Sequence, residues 1–134
     1  MLSVFPTLFS YQLVVPFAFR IVIGIIFVAF GYLNITRRVG EKSATLERFG
    51  VNPGKFWLLI LAIIEILGGI MFIIGLYTQV TALVLSILLA IGAKVKGKHE
   101  NVFSLSLGFI LLLLLITSSL LFLGPGFYSI DLPL

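Results

Sequence analysis

Apolar residues in this chain come in long unbroken blocks, not in the narrow stripes of an amphipathic helix. The first block runs from about Leu13 to Ile35 and is halted by Thr36, Arg37 and Arg38. The second extends over the 38 residues from Phe56 to Ala93, with Glu65 as its single charge. As one straight helix it would be about 57 Å long, roughly twice the ~30 Å hydrocarbon core of a bilayer. It must therefore be two helices. The turn belongs at Gly75-Leu76-Tyr77-Thr78-Gln79, where a helix-ending glycine meets hydrogen-bonding side chains. The last block, from about Val102 to Leu123, is stopped by Gly124-Pro125-Gly126. The pattern predicts four membrane spans, at about 13–35, 56–76, 78–94 and 102–123. The third is the shortest, with Lys94 and Lys96 free to snorkel at its end.

Composition agrees with that reading. The chain is 60% hydrophobic and 10% charged, with mean hydropathy +1.25, whereas a soluble domain carries about 25% charged residues. The fold class expected is all-α: an integral membrane four-helix transmembrane bundle forming one domain over residues 1–134. Eight of the nine Lys and Arg fall in two loops. Arg37, Arg38, Lys42, Arg48 and Lys55 lie between spans one and two; Lys94, Lys96 and Lys98 lie between spans three and four. The positive-inside rule makes both loops cytoplasmic and puts both termini on the extracytoplasmic side. The start, MLSVFPTLFSYQ, has no basic region ahead of its apolar residues and does not read as a cleavable signal peptide. Within the first loop, SATLERFG predicts a short amphipathic helix capped by Ser43, with Leu46 and Phe49 toward the membrane.

Candidate chemistry is sparse. There is no cysteine, which removes disulfides, thiolate nucleophiles and iron–sulfur ligation. His99 is the one histidine and reads as a solvated loop residue; no metal site is expected. The basic residues lack interleaved aromatics, so no nucleic-acid partner is expected. Glu65 is the anomaly. An ionised carboxylate in hydrocarbon costs about 2.5–3.5 kcal/mol on insertion scales and needs a polar answer from another helix. Gly68 and Gly69, at i+3 and i+4, turn it toward a helix interface. The cation within another span is Arg20, whose backbone lies about 10 Å from Glu65 in depth by helical rise, a gap that Tyr32 or water would bridge. Arg20 is also near enough to the outer end to snorkel there. Glu65 itself has two readings: a polar staple fixing the bundle's register, or a proton or ligand site near the midplane. Small residues mark packing faces: Gly24 and Gly31, Gly68, Gly69 and Gly75, and the every-fourth series Thr78, Ala82, Ser86 and Ala90. The run Ile110 to Ile116 reads as lipid-facing.

The segments IEILGGIMFIIGLYTQVTALVL, RIVIGIIFVAFGYLNI and FGVNPGKFW, with the ending LGPGFYSIDL, resemble the DoxX family of small four-helix membrane proteins. The resemblance covers most of the chain. It implies a multi-pass bundle in the cytoplasmic membrane of a prokaryote, related to subunits associated with terminal quinol oxidase and thiosulfate:quinone oxidoreductase. Arg20, Glu65, Tyr128 and Asp131 are the polar positions it carries over. Phe30 and Asn34 depart from the family pattern, standing where many members have a polar residue and a lysine. The function implied is a membrane subunit or anchor of a quinone-linked oxidoreductase, an accessory more than a catalyst. It would hold no cofactor of its own, bind quinone near Glu65, Arg20, Tyr32 and Asn34, and partner the bilayer and a soluble oxidoreductase subunit. A carrier for a small lipophilic molecule, working as a homodimer, and a non-catalytic scaffold are the alternatives.

Overall fold

A computed structural model describes residues 6–36, 39–48, 50, 52–98, 106–124 and 126. A short 3-10 turn at Pro6–Tyr11 leads into α1 (Val14–Thr36), followed by α2 (Val39–Arg48), α3 (Gly54–Ile74), α4 (Thr78–Lys98) and α5 (Leu107–Leu123). The protein is all-α across the described residues. α1 and α3 are long and apolar enough to cross a membrane, while α4 and α5 contain shorter apolar stretches. Only 33% of the apolar stretch of α1 and 28% of that of α3 is covered by the rest of the chain. A helix in a soluble core would have most of that surface covered; here Val22, Ile25, Leu59, Leu67 and Leu115 remain exposed.

The break in the long apolar block has a clear cause. Gly75 adopts φ 78°, and the N–H groups of Gly75 and Leu76 both return to the Met71 carbonyl, at 2.8 and 3.0 Å. A left-handed residue costs glycine nothing, so α3 ends there and α4 starts three residues on. At the start of α5 the Ser106 hydroxyl accepts from the Phe109 N–H at 3.2 Å, satisfying one orphan donor.

The helices associate as two close pairs, α1 with α3 and α4 with α5. Glycines bring the first pair together. A methyl group on Gly24 would meet the Gly69 carbonyl oxygen at 2.7 Å, and one on Gly69 would meet the Gly24 oxygen at 2.6 Å. Gly31 lies against the backbone of Ala62 in the same way. These matches, 24 with 69 and 31 with 62, run in opposite directions along the chain, so α1 and α3 are antiparallel. Gly68 receives Leu85 of α4. Between the pairs, Ile23, Phe27, Phe72, Leu85, Leu89, Ile110, Leu113 and Leu120 make a continuous core.

Three expectations need correction. The series Thr78, Ala82, Ser86, Ala90 does not stay on one face: Thr78 and Ala82 are buried, but Ala90 is exposed and Leu85 and Leu89 take over. Each four-residue step overshoots a turn by about 40°. The run Ile110 to Ile116 is not wholly lipid-facing, since Ile110 and Leu113 point into the core while Leu111, Leu112 and Leu115 point out. Ser43 does not cap α2. It sits in mid-helix, donates to the Gly40 carbonyl at 3.2 Å, and its backbone packs on Gly54, the first residue of α3. A side chain at position 54 would block that seat. Phe49 lies outside the described residues.

Candidate functional site

α2 lies across one end of the α1–α3 pair, and at that end the polar residues converge. The Asn34 carboxamide, 1% exposed, donates from Nδ2 to Glu65 Oε2 at 2.7 Å and accepts from Lys42 Nζ on its Oδ1 at 2.5 Å. The amide dipole is thus aligned between a cation and an anion, each meeting the end of opposite polarity. Charge-assisted bonds of this kind are stronger than neutral ones. Both charged groups are half-buried. The other Glu65 oxygen, Oε1, has no hydrogen-bond partner among the described residues.

A cavity of about 110 Å³ lies beside this chain of groups. Phe27 and Phe30 of α1, Leu61 of α3, Leu88, Leu89 and Gly92 of α4, and Ile110 and Leu113 of α5 line its apolar part; Asn34, Lys42 and Glu65 line its polar part. All five helices contribute. Phe30 is braced edge-on by Phe109, with ring centres 6.4 Å apart. At about 110 Å³ the cavity is smaller than the roughly 150 Å³ apolar cavity that accommodates benzene, but it is open at its mouth, so part of an aromatic ring fits inside. A group placed in it would meet an acceptor at Glu65, a cation at Lys42 and hydrocarbon elsewhere.

Glu65 is answered by Asn34 and Lys42, not by Arg20. The antiparallel register sets Arg20 opposite Ile73 and Asn34 opposite Leu59, so their backbones lie about 12 and 9 Å along the axis from Glu65, on opposite sides. Side-chain tilt decides between them. Helical side chains lean toward their own N-terminus. Glu65 on α3 leans toward the α2 end, Asn34 on α1 leans to meet it, and Arg20 leans away. Arg20 is 0% exposed, with its guanidinium carbon 5.3 Å from the centre of the Phe17 ring. At that far end it shares its burial with Thr78 and Thr117. Tyr32, expected near Glu65, is 63% exposed and lines neither the cavity nor its polar wall. Two residues past it, about 200° around α1, Asn34 faces in.

Lys42 is the site residue that the sequence reading missed. Its spacing from Asn34 across the α1–α2 break carries no signature, and it was one of five basic residues in a loop. Tyr128, Asp131 and His99 lie outside the described residues.

Mostly exposed apolar helices around a small, partly open cavity, with a polar wall near one end, define this as a membrane protein. Residues 15–95 match the DoxX family model. The match spans more than half of the 134-residue chain, and the protein belongs to the DoxX family. It covers α1 to α4 and stops short of α5 and the LGPGFYSIDL ending. No curated protein and no solved structure matches the chain.

Proposed function

We propose that this DoxX-family protein crosses the cytoplasmic membrane of a prokaryotic cell four times, with both termini outside, and is the quinone-binding membrane subunit of an oxidoreductase complex. The observation that carries the reading is the pairing of a small, partly open apolar cavity with the Lys42–Asn34–Glu65 wall. A quinone head group is flat and apolar, with oxygens at its edge. Its carbonyl form accepts and suits Lys42; its hydroxyl form donates and suits Glu65 Oε1. Side chains with no cysteine among them offer no two-electron couple. Electrons would therefore come from a bound cofactor or a partner subunit, and this chain's part is to bind, orient and shield the ring.

The test is extraction in mild detergent followed by lipid analysis and thermal unfolding. Quinone should co-purify, and added quinone should raise the melting temperature in proportion to the logarithm of its concentration above Kd. Glu65→Gln, whose oxygen must stay on Asn34 and whose amino group then stands where Oε1 stood, should fold normally and lose the shift given by the added quinol form. If no lipophilic ligand survives extraction and quinone leaves the melting temperature unmoved, the reading is wrong.

A further inference from the structure

A second cavity, of about 200 Å³, lies on the other side of Asn34. Ile35 of α1 and Lys55, Leu58 and Leu59 of α3 complete its lining. This is a groove between α1 and α3 at the α2 end, separate from the first cavity except for Asn34, which borders both. Its composition is one-sided. Ile35 and Leu59 are exposed hydrocarbon along its walls, and Lys55 is the one charge in its lining. The Lys55 ammonium is exposed and has no hydrogen bond or ion pair among the described residues.

The residues after Lys55 set its depth. Phe56 and Trp57 are 55% and 47% exposed and stack edge-to-face at 5.8 Å. Adjacent exposed aromatics at the end of an apolar helix belong at the headgroup level of a bilayer. A cation at that level, over an apolar cleft running toward the hydrocarbon, is complementary in charge and polarity to one class of molecule. We propose that the groove binds an anionic phospholipid, with its phosphate on Lys55 and its upper acyl chain along Ile35 and Leu59. Water and zwitterionic headgroups meet the same cation without the net negative charge that favours this seat. The proposal does not depend on what the first cavity binds.

The full-length protein, exchanged into mixed micelles of equimolar phosphatidylglycerol and phosphatidylcholine, is read by native mass spectrometry. The wild type should retain one phosphatidylglycerol about tenfold over phosphatidylcholine. Lys55→Gln should reduce that preference to near parity, whereas Lys94→Gln, which removes an exposed lysine elsewhere, should leave it unchanged. Leu59→Trp fills the groove without touching the charge, and should lower retention of both lipids at that site. The assignment is overturned if Lys55→Gln holds phosphatidylglycerol as the wild type does, or if Leu59→Trp has no effect. It is also overturned if excess inorganic phosphate displaces the lipid completely, since the ligand would then be a free anion.

Discussion

The Asn34 carboxamide gives each of its charged neighbours the partner that neighbour requires, and removing it strands both. Asn34→Leu should therefore lower stability by about 1–3 kcal/mol, the scale for leaving buried polar groups unpaired, measured by unfolding in detergent. Glu65→Leu should cost a similar amount, because the Asn34 amino group then faces hydrocarbon. Glu65→Gln keeps an acceptor oxygen at the same place, so its stability should change by less than about 1 kcal/mol. Lys42→Met should leave the fold intact and weaken ring binding about tenfold, read by the quinone-induced shift in melting temperature; unchanged binding would remove Lys42 from the site. That Glu65 had to meet something polar was legible from its hydrocarbon surroundings. Which group it meets was not, because the choice between Arg20 and Asn34 depends on helix direction and side-chain lean more than on depth. Asn34 read as a departure from the family's charge pattern, yet in the fold it is the centre of the site.

At the level of elements, the α1–α3 contact rests on backbone approaching backbone, with no side chain able to yield. Gly69→Ala should destabilise by about 1–3 kcal/mol, as overpacked sites do, since its methyl group would sit 2.6 Å from the Gly24 oxygen and 2.9 Å from the Val28 nitrogen. Gly108→Ala on α5 meets nothing within 4 Å and should be neutral or slightly stabilising, because alanine is the better helix former. Equal effects at the two positions would remove close packing as the cause. The seven-residue spacing of Gly24 and Gly31 exposed the α1 side of this interface in the sequence. On α3, however, it is Gly69 that meets it, while Gly68 faces α4 and Gly75 ends the helix. The α4 series misled because four residues overshoot a helical turn. α2 was foreseen as a short helix, but not that its backbone would seat on Gly54 and carry Lys42 into the interior, since nothing local records where a surface helix docks.

For the whole molecule, the proposed four crossings put the Gly75–Tyr77 turn and the Lys94 loop on opposite faces. The absence of cysteine makes this simple to test, because a single introduced thiol needs no background removed. A membrane-impermeant maleimide should label Tyr77→Cys in intact cells and Lys94→Cys only after lysis. Labelling of both from the same side would refute the topology. Within that frame the side chain of Asn34 is a partition: a ring on one side and a lipid on the other would lean on the same carboxamide. Two such occupants would be coupled to the extent that each shifts that carboxamide, and linkage is reciprocal. Whatever factor an acidic lipid applied to ring affinity, the ring would apply to lipid affinity, and the make-up of the surrounding leaflet would then act as an effector of the protein it dissolves.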